Sequence, residues 1–155
     1  MIDFPSYISW FTDGEWCFSV SFTIRKSLSL WVEVRPSFSI SQKNFSLWVL
    51  QQIQSYFNCW WIRKSEKDGT YKFEIRSIND IVSKVLPHFI NYPLITDKRN
   101  DFINFQRICD LVHSNQHLNQ HWLSSIIDLA YSMNRSWKRK YPKKDLLKII
   151  DKMKV

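Results

Sequence analysis

Alternate side chains on several predicted β-strands carry groups that could bind a nucleic acid. Serine and threonine hydroxyls can hydrogen-bond to base edges, and arginine or lysine can hold phosphates. The same residues could instead form the solvated outer face of a half-buried antiparallel sheet, and the pattern alone leaves both interpretations open. The residues concerned are Ser19, Ser21, Thr23, Arg25, Glu33, Arg35, Ser37, Ser39, Arg63, Lys72, Glu74 and Arg76.

The net charge favours a polyanion as the partner. Lys and Arg total 22 against 14 Asp and Glu, which gives a formal net charge of +8 and a pI of about 9.5. Such an excess suits a nucleic acid or an anionic membrane. No basic amphipathic surface helix is evident, and no apolar run reaches the roughly 18 residues of a membrane span, so we expect no membrane role. The basic cluster Lys138, Arg139 and Lys140 would bind phosphates or be solvated.

Cysteine and histidine residues offer a different site. Cys109, His113, His117 and His121 recur every four residues and would form a metal-binding stripe on one continuous helix. The polar segment 114–116 interrupts the helical pattern, so the sequence disfavours this site. The three cysteines form no disulfide pattern and indicate a reducing compartment, either the bacterial cytoplasm or an organelle.

Hydrophobic periodicity predicts an α+β domain with one antiparallel sheet. Alternating residues predict strands over 17–25, 32–41, 59–64 and 71–76. Helical spacing predicts helices over 7–12, 44–56, 78–86, 97–113 and 119–134, the third of which would end at Pro87. We expect one domain over residues 6–141, followed by a basic C-terminal tail over 142–155 that adds a small helix over 144–153.

The segment YISWFTDGEWCFSVS, residues 7–21, resembles the signature motif of the LAGLIDADG homing endonucleases. Further similar segments follow in order, over 33–42, 71–77, 87–94, 98–102 and 129–136. The resemblance implies an αββαββα domain whose four-stranded, saddle-shaped antiparallel sheet is backed by helices. It also implies a site-specific DNA endonuclease, encoded within an intron, that makes a metal-dependent double-strand break.

The resemblance gives the acids of the motif separate roles. Glu15 matches the family's metal-binding acid, and the carbonyl of Gly14 would also face the metal. Asp13 matches the other acid, which is more often structural at the helix end. Mg²⁺ prefers carboxylate oxygens, and a divalent ion stabilises charge on the attacking and leaving oxygens when a phosphodiester is cleaved. Without the surrounding motif, Glu15 would be an ordinary exposed acid at a turn.

Other residues would complete the catalytic site. Gln42 matches a residue that positions water, although a polar strand end is the simpler interpretation. Lys98 would polarise water or neutralise phosphate, a role that the neighbouring Arg99 could also take. Each could equally be an ordinary basic residue at a helix start.

One motif supplies one acid, whereas cutting both strands of double-stranded DNA requires two active sites. The resemblance therefore implies a two-fold homodimer with the motif helices side by side and a pseudo-palindromic target. The residues expected at the dimer interface are Tyr7, Ile8, Ser9, Trp10, Phe11 and Asp13.

The chain departs from the family in its tryptophans. It has 2 Gly and 8 Trp, whereas average usage of roughly 7% predicts about 11 Gly. Either this is a degenerate relative that no longer cuts, or UGA codons for glycine were translated as tryptophan. UGG codons at the affected positions would exclude the second hypothesis. Positions where relatives prefer a small residue are Trp10, Trp16, Trp122, Trp137 and one of Trp60 and Trp61.

A non-catalytic binder is the main alternative function. The same basic sheet could bind intron RNA, as in a maturase, or act in a ribosome-associated protein. An endonuclease should need the Glu15 carboxylate for cutting but not for binding, whereas an RNA binder should tolerate its loss.

Overall fold

The computed structural model describes residues 3–15, 17–59, 61–134 and 138–153. The strands are β1 (Phe18–Ile24), β2 (Val32–Gln42), β3 (Ile62–Lys64) and β4 (Tyr71–Ile75). The helices are α1 (Phe4–Asp13), α2 (Leu47–Phe57), α3 (Ile78–Asp80), α4 (Leu86–Asn91), α5 (Lys98–His113), α6 (Gln120–Ser132) and α7 (Lys143–Lys152). Across the described ranges, every helix is too short or too polar to pass through a membrane.

The four strands form one antiparallel sheet in the order β1-β2-β4-β3. Strand β2 shows how its two faces differ. Val32, Val34, Pro36, Phe38 and Ile40 are buried on one face, and the residues that alternate with them project to the opposite face because side chains alternate along a strand. Helices α2 and α5 pack against the sheet. The predicted α+β fold with an antiparallel sheet backed by helices is therefore confirmed.

An aromatic cluster fixes the start of β1 against the helices. The ring of Phe18 lies 5.6 Å from that of Phe38 on β2 and 5.1 Å from that of Phe89 on α4. The rings of Phe102 and Phe105 on α5 lie 5.4 and 5.2 Å away. All five side chains are buried, and tilted or edge-on ring pairs add stability beyond their buried area. The backbone just after the Asp-Gly-Glu segment is consequently held in one place.

The helix predicted to end at Pro87 continues beyond it. A π-helical segment, Ile81–Val85, joins α3 to α4, and Pro87 lies in the first turn of α4. Proline has no amide N–H and would interrupt a continuous α-helix. The π-helical segment changes the hydrogen-bond register, so Pro87 occupies a position at which a helix needs no backbone donor.

The basic tail predicted over residues 142–155 is a helix where the structure describes it. Leu146 and Ile150 on α7 are fully buried, and α7 packs against α6. Residues four apart share one helix face, which explains how so basic a segment contributes to the core. The predicted boundary at residue 141 is therefore wrong, whereas the small helix predicted within the tail is confirmed.

Trp31 adopts a backbone conformation that favours glycine. Its φ is 58°, in the left-handed region that bulky residues rarely occupy. Sequence comparison with the family did not single out this position. It supports the hypothesis that some tryptophans stand in place of glycine. Of the positions that the sequence did single out, Trp16, Trp60 and Trp137 lie outside the described residues.

We expect Trp31→Gly to stabilise the protein. The left-handed conformation costs a non-glycine residue roughly 1–2 kcal/mol, and glycine would remove this cost. The loss of the contact between the Trp31 ring and the Lys26 ammonium, which are 5.6 Å apart, would offset part of the gain in stability. Urea denaturation should show a free energy of unfolding higher by about 1 kcal/mol. The control is Trp48→Gly in α2, where glycine is expected to destabilise by about 1 kcal/mol. A Trp31→Gly variant less stable than the wild type would contradict the prediction that the positive φ of Trp31 destabilises the protein.

Candidate active site and nucleic-acid interface

The strand register places all the predicted nucleic-acid contacts of the strands on one face of the sheet. The residues between them along the strands are mainly those of the buried core. We call the face that carries the predicted nucleic-acid contacts the polar face. The prediction that one sheet face is apolar and the other polar is therefore confirmed. Cross-strand pairs on the polar face are Ser19–Ser37, Ser21–Arg35, Thr23–Glu33, Ser39–Glu74 and Arg63–Lys72.

Two carboxylates on the polar face hold its cations in place. Glu33 accepts a hydrogen bond from Arg25 at 3.0 Å and forms an ion pair with Arg35 at 2.9 Å. Glu74 has its own group of three cations, described below. The cations, rather than the carboxylates, are the exposed members of both groups. They are therefore available to phosphates of a bound nucleic acid.

Two residues predicted as direct contacts are instead buried. Glu74 is only 5% exposed, and its oxygens are engaged by neighbouring cations. Ser37 is also buried and shares a hydrogen bond of 2.7 Å with Ser19. The alternation placed both on the correct face, but it could not show that neighbouring side chains cover them.

Arg139, which the sequence predicts as a DNA contact, also has a structural role. Its guanidinium donates to the Val20 carbonyl on β1 at 2.9 Å, and also to the Ala130 and Met133 carbonyls at the end of α6. It lies 4.6 Å from the centre of the Tyr131 ring. These contacts tie the segment after α6 to the edge strand. In contrast, the other predicted cations outside the strands, Arg99, Lys138 and Lys140, are exposed.

Glu15 and Lys98 are brought into the same neighbourhood. Both act electrostatically on the buried thiol of Cys17. Burial and the negative charge of Glu15 raise the pKa of Cys17 to about 12, partly opposed by the nearby Thr12 hydroxyl and by the positive charge of Lys98. Because such effects fall off with distance, both predicted catalytic groups lie within electrostatic range of Cys17 although they are far apart in sequence.

Asp13 holds the chain segment of Glu15 against the segment that contains Lys98. Its carboxylate accepts hydrogen bonds from the backbone N–H of Ile95 at 2.8 Å and of Thr96 at 3.3 Å, and from the Thr96 hydroxyl at 2.8 Å. Glu15 follows Asp13 by two residues, and Lys98 follows Thr96 by two. Asp13 therefore connects the end of α1 to the start of α5, in agreement with the structural role that the motif implied.

Replacing Asp13 by Asn is expected to lower stability. Asn keeps one acceptor oxygen but loses the charge and presents an NH₂ group to backbone donors. We expect a loss of about 2 kcal/mol in the free energy of unfolding, since hydrogen bonds to charged groups contribute roughly 1.5–3 kcal/mol. Urea denaturation measures it, with Asp110→Asn at an exposed position of α5 as the matched control. Equal free energies of unfolding for Asp13→Asn and Asp110→Asn would show that Asp13 does not stabilise the connection between α1 and α5.

Asn134 is a site residue that the sequence did not single out. Its side-chain oxygen accepts a hydrogen bond from the Lys98 ammonium at 3.4 Å, and its NH₂ donates to the Phe18 carbonyl at 2.7 Å. Asn134 is buried and has a φ of 46°, a conformation that asparagine tolerates better than most residues. An asparagine two residues after α6, within a segment that resembles the family, is the signal that could have identified it.

The positions of the other two predicted residues of the catalytic site, Gln42 and Gly14, support their roles less directly. Gln42 ends β2 near the start of β1, but by strand alternation it belongs to the row of Ile40 rather than to the polar face. Gly14 is exposed with a φ of −86°, and a Cβ atom there would meet the Phe11 carbonyl at an ordinary 3.8 Å. Neither the backbone nor the available space therefore requires glycine at this position.

Helix α1 presents an aromatic face to solvent, but not with all the residues predicted. Ile8 and Ser9 are buried within the chain itself, so their predicted place in a dimer interface is wrong. Trp10 is 64% exposed and lies beside Tyr7, whose ring also contacts Phe11. The three aromatic side chains share one helix face, of which Trp10 is the exposed member while Tyr7 and Phe11 are half-buried.

The oxygen ligands available near Glu15 suit a hard cation that keeps several water molecules in its coordination shell. Among the residues that the structure describes, no three His, Cys, Asp or Glu side chains group together as metal ligands. Mg²⁺ is commonly held by one or two carboxylates together with substrate phosphates and water. One Glu15 carboxylate and a backbone carbonyl are compatible with such a site once phosphate is present. Cys109, His113, His117 and His121, which the sequence disfavoured as a metal site, lie on three successive helical segments rather than on one continuous helix.

A cleft of about 610 Å³ lies elsewhere, beside strands β3 and β4. Its walls include Trp61, Arg63, Glu74, Arg76 and Lys84. Glu15 and Lys98 are not among its lining residues.

Comparison with known proteins agrees with this geometry. The family profile described as LAGLIDADG endonuclease matches residues 8–109. The chain belongs to the LAGLIDADG endonuclease family. Among curated proteins, "Probable intron-encoded endonuclease 2" of Neurospora crassa is 30% identical over 131 residues, which cover 84% of this chain and 29% of that protein. This LAGLIDADG chain therefore spans less than a third of that relative's length.

Two solved LAGLIDADG structures bear on how the chain is organised. The archaeal intron-encoded homing endonuclease I-Vdi141I, complexed with DNA, is 28% identical, with a TM-score of 0.86 over 96% of this chain and 95% of that one. I-SmaMI, bound to an uncleaved DNA target in the presence of calcium ions, is 25% identical, with a TM-score of 0.85. The match covers 97% of this chain but 49% of the I-SmaMI chain. The chain thus corresponds to one half of a larger LAGLIDADG chain or to all of a smaller one.

Proposed function

We propose that this LAGLIDADG chain is a site-specific endonuclease that makes a Mg²⁺-dependent double-strand break in DNA as a homodimer. The observation that carries the proposal is the contact of Asp13 with Thr96, which connects the segment of Glu15 to that of Lys98 beside the sheet whose polar face presents cations. A carboxylate can hold a divalent ion and an ammonium can neutralise phosphate charge, and the polar face supplies a surface for the duplex.

Individual residues take the following parts in this proposal. Glu15, with the Gly14 carbonyl, holds Mg²⁺, which when bound stabilises charge on the attacking and leaving oxygens. Lys98 neutralises charge at the phosphate, and Asn134 orients its ammonium. Gln42 would position the attacking water.

The polar face would hold the duplex mainly through phosphates. Arg25, Arg35, Arg63, Lys72 and Arg76 are the cations that it exposes. Each phosphate contact releases condensed counterions, so binding should weaken steeply with salt. Serines between the two groups of cations offer hydrogen bonds of either polarity and would contact base edges.

A homodimer supplies the second active site. The chain matches half of I-SmaMI and nearly all of I-Vdi141I, which is the relation expected of a chain that carries one motif. The aromatic face of α1, formed by the exposed Trp10 and the half-buried Tyr7 and Phe11, is the proposed contact between the two copies. A two-fold axis beside α1 would bring the two Glu15 residues to opposite strands of the duplex.

The gene itself provides the substrate for the test. If it lies in an intron, joining the sequences on its two sides recreates the uninterrupted target. A plasmid with this junction should be converted to linear DNA in Mg²⁺ and remain intact in EDTA. Nicked circles alone would contradict a homodimer with two active sites. Binding to intron RNA without any cutting would favour the maturase alternative. The eukaryotic, intron-encoded relative supports an organellar rather than a bacterial gene.

A further inference from the structure

A carboxylate in the middle of the polar face poses a physical problem. Glu74 lies on the inner strand β4 opposite Ser39, on the face proposed to bind a polyanion. A negative charge there repels phosphates, and burying it is costly unless it is paired. Glu74 is nonetheless 5% exposed. Its presence needs an explanation other than direct contact with DNA.

Three cations converge on this one carboxylate from two strands. Lys72 approaches one oxygen to 3.0 Å, and Arg63 and Arg76 approach the other to 2.5 and 3.1 Å. Burial raises the pKa of Glu74, but the hydrogen bond from Lys72 and the charges of Lys72, Arg76 and Arg63 together lower it below its ordinary value. Glu74 therefore stays ionised at neutral pH and holds all three cations.

We propose that Glu74 is a specificity-determining positioning residue for DNA recognition. Held by Glu74, the three cations have a fixed spacing and a reduced net charge. They therefore attract an arbitrary duplex weakly and fit best where phosphates match that spacing. Without the carboxylate they would be free to follow any phosphate. Electrostatic attraction without positional restraint raises affinity for all sequences alike. This inference rests on the proposed function.

The group around Glu33 offers an internal comparison. Among the described residues Glu33 pairs with two cations, Arg25 and Arg35, and its side chain is 24% exposed against 5% for Glu74. An exposed pair is screened by solvent more than a buried one. Glu33 should restrain its cations in the same sense but less strongly.

The variant Glu74→Gln removes the charge while keeping the shape of the side chain. Fluorescence anisotropy against a duplex of scrambled sequence should show about fivefold tighter binding, with a salt slope steeper by about 1 for each cation released. Selection from a pool of randomised duplexes should yield a less defined sequence preference than for the wild type. The matched control is Glu66→Gln in the exposed turn between β3 and β4, which changes the net charge equally.

Two further variants guard against a purely structural effect. Glu74→Asp restores the charge and should recover part of the wild-type preference. Glu33→Gln, at a more exposed position, should change binding in the same direction by a smaller factor, whether or not Glu74→Gln is well folded. If Glu74→Gln and Glu33→Gln both keep the same DNA-sequence preference as Glu66→Gln, the role of Glu74 is overturned while the proposed endonuclease function still stands. A wild type without any sequence preference would overturn the proposed function as well.

Discussion

Replacing Glu15 by Gln is expected to abolish DNA cleavage while leaving DNA binding intact. Glutamine keeps the size of the side chain but removes the charged oxygens that a hard cation requires. Several kcal/mol of charge stabilisation come from a catalytic metal ion, so we expect a rate reduced by roughly 10³-fold or more, equivalent to about 4 kcal/mol in the barrier. Conversion of supercoiled to linear plasmid measures the loss.

Three measurements separate a chemical role of Glu15 from a structural one. Affinity for the target duplex should change by less than about threefold, because the cations of the polar face are untouched. Thermal unfolding of Glu15→Gln should match the wild type, in contrast with Asp13→Asn. The exposed Glu66→Gln variant should cut normally. A Glu15→Gln enzyme that cuts at the wild-type rate would eliminate this residue as the metal-binding acid.

Acid should destabilise the protein through His88. This histidine is buried on α4, and its ring lies 4.6 Å from that of Phe89 and 5.4 Å from that of Phe57. Burial lowers the pKa of His88 to about 4. Its Nδ1 lies 2.9 Å from the Tyr56 hydroxyl and its Nε2 lies 3.2 Å from the Ser9 hydroxyl. The histidine thus links α1 and α2 to α4.

The hydrogen bonds define the neutral form of the ring. The Ser9 hydroxyl donates to the Tyr92 carbonyl at 2.6 Å, so it accepts from Nε2–H of His88. Nδ1 must then accept from the Tyr56 hydroxyl. Protonation would add a second donor at Nδ1, where the ring already accepts a hydrogen bond. This conflict and the burial of the charge both oppose protonation in the folded state.

The direction of the pH effect follows from the two pKa values. The ordinary histidine pKa is 6.5 and the folded value of His88 is about 4, so the unfolded chain takes up the proton first as the pH falls. The contribution to stability is complete above about pH 6.5 and is lost progressively towards pH 4. The expected loss is about 2 kcal/mol by pH 5 and about 3 kcal/mol near pH 4.

Urea denaturation at several pH values tests this prediction. His88→Gln cannot titrate, so its stability should change less between neutral pH and about pH 5, although it should be lower at neutral pH because packing is lost. His121→Gln, at an exposed position of α6, should keep the wild-type pH dependence. A pH dependence identical in His88→Gln and the wild type would assign the acid sensitivity to other groups.

The sheet and its polar face could be predicted because the relevant signal is local. A strand has a period of two, so Val32 to Ile40 identified the buried row of β2 and thereby the residues that share the other face. The excess of basic residues indicated a polyanion. The motif around Glu15 indicated the family, which the comparisons confirm. These inferences needed only the order of residues along the chain.

The roles of particular side chains depended on partners distant in sequence. Asp13 binds a segment 82 and 83 residues further along the chain, and Arg139 binds a carbonyl 119 residues before it. No periodicity encodes such pairs, so Arg139 was assigned to DNA instead of to the edge strand. The burial of Ser9 likewise depends on its bond to Tyr92, 83 residues away.

The sequence by itself determined the family, the alternation of the strands, the basic charge and the acid at position 15. Only the tertiary structure decided that Glu74 is covered by three cations, that Asn134 contacts Lys98, and that Trp31 has a positive φ. The physical reason is that alternation and charge are properties of the chain. Burial, ion pairing and backbone conformation at a turn depend on which distant residues the fold brings into contact.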